Sequence, residues 1–253
     1  MGACSFIDSP ADFRGSFPEN PSFVSGFPVG IIAITLNYAK LPGNVVNPAS
    51  FDFPVLYEEV TFDIEDLFRG ADELREQVVA AAVKLESRGV KAIAGACGYF
   101  LHFQEDVRNA VNVPVFLSSL LQLPLLLAAL PRRKKVAVFA ASGSDLTPDF
   151  LARAGAGPER VEVIDVGAIE SFAPIRYERG NLDNGRLADD LAAIASGLGK
   201  RADIGAILLE CSDLPPYAKI IQRASGLPVA DFISLIDYAH RIVSQPFYRG
   251  RVL

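Results

Sequence analysis

Two cysteines stand in matched surroundings. Cys97 ends the apolar run Val90 to Ala96 and opens Gly98-Tyr99-Phe100, whereas Cys211 follows Ile204 to Leu209 and Glu210 and opens Ser212-Asp213-Leu214-Pro215-Pro216. A proline follows each at the same interval, Pro114 in one case and Pro228 in the other, and Ala92-Ile93 recurs as Ala206-Ile207 equally far before the thiol. An apolar run feeding a helical pattern reads as a strand end, the place where ligands sit in open α/β sheets. The chain therefore uses one strand-Cys-helix-Pro-strand unit twice. Folded as facing lobes, the two units would bring both thiols to one cleft from opposite sides. That suits inversion of a carbon centre, which needs a base on one face and an acid on the other, roles that a thiolate and a thiol can share. The plainer alternative is that both are small buried hydrophobes, cysteine being among the most buried residue types. Matched context at two strand ends favours the chemical reading.

The elements that must hold these thiols are legible as an alternation. Val29 to Leu36 is a continuous apolar run, typical of a strand buried on both faces, with Asn37 and Tyr38 at its carboxyl end. Leu41 to Pro48 is dense in turn residues yet apolar, and reads as a loop covering a site. Phe53 to Val60 reads as a strand. Ala71 to Arg88 carries Leu74, Val78, Val79, Ala82 and Leu85 at helical spacing and stops at Gly89. After the first cysteine unit come the strand Val115 to Leu117, a helix from Ser118-Ser119, the strand Val136 to Ala141, and a helix opened by Ser142-Gly143-Ser144-Asp145. Val161 to Val166 is a strand, Asp183 to Leu198 a helix, and Asp231 to Val243 a closing helix. The alternation predicts an α/β fold of mainly parallel sheets with right-handed crossovers. The boundaries expected are an N-terminal arm over 1–27, with Cys4 incidental, a first lobe of 28–118 plus 231–253, and a second lobe of 119–230.

Composition narrows the partners. The 253 residues suit one large domain or two modest lobes, and half of them are hydrophobic. A net charge of −6, with no basic cluster beyond Arg132-Arg133-Lys134-Lys135, argues against nucleic acid. That short run reads as a solvated connector. Three cysteines, an odd number, do not suggest a disulfide framework, so a reducing cytoplasm is the expected compartment. With only His102 and His240 and no CxxC spacing, no metal site is expected, and His102 lies off the helical face of Cys97 as a structural residue. The apolar stretch Leu120 to Leu130 is broken by Gln122 and Pro124 and is shorter than the roughly 20 residues of a membrane span. It reads as a buried helix. No secretory signal opens the chain, and Phe6 occupies the place a myristoylation site reserves for Ser or Thr. Dinucleotide, P-loop and nucleophile-elbow motifs are all missing.

Taken together, Pro42-Gly43-Asn44 with Asn47-Pro48, Cys97-Gly98, Ser118-Ser119-Leu120-Leu121-Gln122, Ser144-Asp145-Leu146-Thr147 and Glu210 to Tyr217 make the chain after residue 28 resemble the aspartate/glutamate racemase superfamily. The resemblance implies two pseudosymmetric α/β lobes, a cysteine from each flanking the substrate α-carbon, no pyridoxal phosphate or other cofactor, a small-molecule substrate and a homodimer. Gly98-Tyr99 replaces the Asn-Thr usual after the first cysteine, and Ser212-Asp213 the Thr-His of glutamate racemases. The reaction class is therefore better defined than the substrate.

On this reading Cys97 and Cys211 are the catalytic pair, each lowered from a thiol pKa of about 8.5 by a following helix N-terminus. The carbanion's charge would be held by backbone N–H groups at Gly98 and Ser212, by hydroxyls of Ser118, Ser119, Ser142 or Ser212, and by Asn37, with Asn44 a further candidate contact. Ser118 and Ser119 serve equally well as helix caps, and Asn44 and Asn47 as turn residues. Asp213 is expected to cap a helix, because a carboxylate beside Cys211 would raise the thiol's pKa. Tyr99 and Tyr217 would wall the cleft or pack in the core. No arginine lies within the motifs and only Lys40 comes near, so a second substrate carboxylate lacks a partner. The expected activity is a cofactor-independent racemase or epimerase. The alternatives are a one-cysteine decarboxylase or maleate-type isomerase, and a two-lobed protein that binds a small acid unchanged.

Overall fold

A computed structural model describes residues 26–248. The expected arm over 1–27, Cys4 included, lies almost wholly outside the described residues. The first half carries β1 (Val29–Ile34), β2 (Val55–Val60), α1 (Ile64–Arg69), α2 (Arg75–Ser87), β3 (Ala92–Gly95), α3 (Gln104–Ala110), β4 (Val115–Phe116) and α4 (Leu123–Ala129). The second carries β5 (Lys135–Ala140), α5 (Pro148–Arg153), β6 (Val161–Asp165), α6 (Ala173–Arg176), α7 (Asn184–Gly199), β7 (Ile204–Leu209), α8 (Ala218–Ser225), β8 (Val229–Ala230) and α9 (Phe232–Val243).

Every strand pairing is parallel, in two four-stranded sheets ordered β2-β1-β3-β4 and β6-β5-β7-β8. The order is the same in both halves. Registers match as well: Ile93 and Ala94 face Val115 and Phe116, as Ile207 and Leu208 face Val229 and Ala230. Cys97 and Cys211 thus follow the third strand of each sheet at equal distance. All six residues of β1 and of β7 are buried, as strands covered on both faces must be.

Helices cover those faces where their apolar stripes direct them. α2 buries Val78, Ala81, Ala82 and Leu85, and its run ends where Gly89 takes a left-handed φ of +91°. α7 starts where the Asp183 carboxylate accepts the Arg186 N–H, and buries Leu187, Leu191, Ala195 and Leu198. α9 opens on a capping box between Asp231 and Ser234 and returns to the first sheet, where Phe232 and Ile236 join Val29, Ile31, Ala33, Ala94 and Ala96. Burying each of those two side chains contributes about 1.5–3 kcal/mol. No helix among the described residues is long and apolar enough to cross a membrane.

Two local expectations fail. Leu120 to Leu130 is not a buried helix: a 3-10 turn, Ser119–Gln122, precedes the seven residues of α4, and Leu125 is 72% exposed. The residues directly after each cysteine are not α-helical either. Cys97 leads into the 3-10 segment Gly98–Phe103, and the 3-10 turn Pro215–Tyr217 stands before α8.

Candidate active site

Cys97 and Cys211 line one cleft with about 450 Å³ of empty space, part of it open to solvent, together with Tyr38, Arg176, Glu178, Ser212 and Asp213 and an apolar wall that includes Leu36, Phe68, Phe172 and Ile175. The thiols keep only slight exposure, 8% and 6%. Cys97 stands in extended conformation at the head of its 3-10 segment. Short 3-10 turns offer little aligned dipole, and burial decides the electrostatics instead: it pushes both thiols well above their usual range. Glu210 and then Asp213 raise Cys97 further, while Tyr99 N–H and Arg176 pull it back. For Cys211 the next causes are Asp213 and Glu210. The expected lowering by a helix N-terminus is therefore reversed.

Asp213 caps no helix, contrary to expectation. Its carboxylate accepts the Tyr38 hydroxyl at 2.7 Å and the Asn44 amide, and Oδ2 lies 3.6 Å from Cys211 Sγ. Burial raises its pKa, opposed chiefly by Lys40. Lys40 in turn is lowered to about 8 by burial and sits over the Tyr38 ring. The loop 41–48 thus lies against the second cysteine motif, and Val45 N–H donates to the Ser212 carbonyl at 3.3 Å. Asn44 and Asp213 also border a small adjoining recess with Tyr217.

The segment after β6 supplies the opposite charge. Arg176, the last residue of α6, has a side chain only 9% exposed, pairs with Glu65 of α1, and stacks over the Phe68 ring at 4.5 Å. Glu178 follows with a left-handed φ of +50°, which for a non-glycine residue is strained by about 1–3 kcal/mol, and accepts the Asn37 N–H at 3.1 Å. The second half thereby closes the cavity against the first.

Other residues singled out from sequence lie elsewhere. Asn37 is exposed, and only its backbone contacts Glu178. Ser118 is fully buried and caps Leu120 N–H at 3.2 Å, and Ser119 donates to the Leu209 carbonyl at 3.0 Å. Ser142 donates to Asp145. Ser212 lines the cavity, but its hydroxyl donates to the Ala96 carbonyl at 2.7 Å and so ties the two cysteine loops together. Gly98 lies against the Glu210 carboxyl, so its amide is turned toward the protein. Asn47 holds a turn through Ala49 N–H at 3.0 Å. Tyr99 is core, its hydroxyl donating to the Ser142 carbonyl and its ring stacked on Phe150. His102 meets the Phe68 carbonyl at 3.1 Å, away from the cavity.

Sequence reasoning missed Tyr38, Arg176, Glu178 and Glu210. Tyr38 was accessible through strand alternation, since Ile34, Leu36 and Tyr38 share the face that Asn37 does not. Arg176 lies in an aperiodic connection and carries no local signal. Among the described residues no group of three or more His, Cys, Asp and Glu side chains could hold a metal ion. The arrangement can move a proton at carbon beside an anchored carboxylate.

No protein-family model matches the chain. It is 33% identical over 225 residues to a dimethylsulfoniopropionate lyase of Durusdinium sp. clade D, covering 83% of this chain and 73% of that protein. It is 33% identical over 220 residues to dimethylsulfoniopropionate lyase 3 of Emiliania huxleyi, covering 81% of this chain but 57% of that protein. The match thus spans little more than half the length of the Emiliania relative. In structure it is similar to the aspartate racemase of Picrophilus torridus, with a TM-score of 0.57 at 18% identity over 85% of this chain and 94% of that one. The fold is the two-lobed α/β architecture of the aspartate/glutamate racemase superfamily.

Proposed function

Because the chain belongs to the dimethylsulfoniopropionate lyase family, we propose that it cleaves a small sulfonium carboxylate by β-elimination, with dimethylsulfoniopropionate as the candidate substrate. A base removes a proton from the carbon next to the carboxylate. The C–H electron pair becomes the new C=C bond, the carbon–sulfur bond breaks with its pair going to sulfur, and dimethyl sulfide, acrylate and a proton are released. The sulfonium leaves as a neutral sulfide, so no acid is needed on the leaving group.

In this reading Cys211 is the base and Asp213 takes its proton. Arg176 holds the carboxylate, in a charge-assisted contact. The sulfonium sits among Tyr38, Phe172 and Glu178, since a desolvated cation is attracted both to aromatic faces and to carboxylates. The observation that carries the proposal is the bipolar wall: one cavity presents Arg176, two thiols, and Asp213 with Glu178, the charge pattern of a zwitterion with an acidic C–H between its ends.

Racemisation by two thiols is the second reading, favoured by the equivalent placement of Cys97 and Cys211 after β3 and β7. One experiment separates them. Headspace analysis should detect dimethyl sulfide from dimethylsulfoniopropionate, lost in Cys211→Ser. Deuterium exchange into D- or L-amino acids in deuterated water, with no sulfide formed, would establish racemisation instead.

A further inference from the structure

Glu210 is a carboxyl group for which neither reading has a use. It is fully buried between Leu209 and Cys211. Its Oε2 accepts Ala141 N–H, just past β5, at 3.0 Å. Its Oε1 lies against Gly98, where a Cβ would come within 2.1 Å of it, and among the described residues this atom completes no well-formed hydrogen bond. No ion pair among the described residues includes it. One side chain therefore touches the ends of three strands, directly beneath both cysteine loops.

Its titratable neighbours are nearly all acids. Cys97 and Tyr99 face it from the turn after β3, and Cys211 and Asp213 from its own loop. Farther out, Arg176 acts on Cys97, Asp145 on Tyr99, both thiols on Tyr38, and Asp213 and Cys211 on Lys40. A carboxylate sealed among such groups without a cation is costly, and the group stays protonated instead. Burial accordingly pushes Glu210 up to about 8, with the N–H groups of Ala141 and Gly98 pulling the other way. Oε1, which completes no well-formed hydrogen bond, is the oxygen to which this reading assigns the proton.

We propose that Glu210 is a protonated positioning residue shared by the two thiols: neutral, it braces the Gly98 turn against the end of β5, and ionised, it denies negative charge to either sulfur. Each thiolate therefore forms more readily while Glu210 keeps its proton than after Glu210 has lost it. The inference takes from the proposed reaction only its two thiols.

Glu210→Gln tests it, because the amide keeps the size of the acid and offers N–H where the acid has O–H. The readout is alkylation of Cys97 and of Cys211 by iodoacetamide against pH, followed by mass spectrometry. Both profiles should move to lower pH, with alkylation at about pH 9 faster by about tenfold, the effect of removing one nearby charge. Superposable profiles in a variant that melts like the wild type would reduce Glu210 to packing. Should the variant fail to fold, infrared spectra of wild-type protein labelled with 13C-glutamate decide: a protonated-acid carbonyl band at neutral pH that fades by about pH 10 is expected, and carboxylate bands alone overturn the proposal. Neither measurement uses a sulfonium substrate, so absence of dimethyl sulfide would sink the lyase reading and leave this one standing.

Discussion

Cys211 Sγ lies 3.6 Å from Asp213 Oδ2, on a carboxylate that also accepts the Tyr38 hydroxyl and the Asn44 amide. One acid thus joins the thiol of the second half to a phenol and a loop of the first. Asp213→Asn removes the acceptor for the thiol proton and turns an amide N–H toward one of those donors. We expect kcat to fall about 10²–10³-fold and stability to fall by about 1–3 kcal/mol, the loss from an unsatisfied buried donor. Steady-state kinetics with thermal melting checks both, and a kcat within about twofold of wild type would detach Asp213 from the chemistry.

Arg176 is the cation of the cavity wall, held in place by Glu65 and the Phe68 ring. If it holds the substrate carboxylate, Arg176→Gln should raise KM about 10–100-fold, matching the roughly 1.5–3 kcal/mol of a hydrogen bond to a charged group, with a smaller effect on kcat. Inhibition by propionate should weaken in parallel. An unchanged KM would move the carboxylate to another wall.

The pH dependence follows from burial. Both thiols are raised by desolvation first, then Cys97 by Glu210 and Cys211 by Asp213, so the resting protein at neutral pH holds thiols, not thiolates. The logarithm of kcat/KM should therefore climb through neutrality and level off only above about pH 9. A bound sulfonium cation favours the anion, so the midpoint in kcat should lie lower than that in kcat/KM. A flat kcat/KM profile between about pH 6 and pH 9 would contradict the assignment of a thiolate base.

Glu210 links the site to stability. Its carboxyl keeps a proton to about 8 in the folded chain, against an ordinary value of 4.5, so across that window the native state binds more protons than the unfolded one. Stability contributed by the group is present below the lower value and is lost as pH rises toward the upper. Melting temperatures measured between about pH 5 and pH 8 should fall more steeply for wild type than for Glu210→Gln; parallel curves would place the proton elsewhere.

What was legible in the chain was local. Matched intervals from Cys97 to Pro114 and from Cys211 to Pro228 encode a strand end and a returning strand, and the two sheets repeat one order because of it. The cavity's charged wall was not legible, because Arg176 reaches it through a pairing with Glu65 more than a hundred residues away. Hydrophobicity alone misjudges Leu120 to Leu130, since it does not say which leucines face the core, and Leu125 is left 72% exposed. At the end of β1 alternation puts Tyr38, not Asn37, on the face of Ile34 and Leu36 that lines the cavity. Asp213 and the serines looked like ligand contacts or caps by type, and only tertiary packing shows where their hydrogen bonds are spent.

Gly98 and Glu210 complement each other in volume, and that relation can be measured without any assay of activity. A methyl group at 98 would lie 2.1 Å from Glu210 Oε1, and neither backbone has slack there, since Ala96 is tied to Ser212 and Glu210 N–H donates to the Phe139 carbonyl at 2.9 Å. Gly98→Ala should destabilise the fold by about 1–3 kcal/mol through overpacking. Glu210→Ala should also destabilise it, by opening a cavity beneath both thiols. In the double variant the new methyl group moves into space that the carboxyl has vacated, so the two losses should not add, and urea unfolding should give a coupling of about 1 kcal/mol or more in favour of the pair. Additive losses would mean that the residue at 98 and the acid at 210 do not share the space in which their contact is seen.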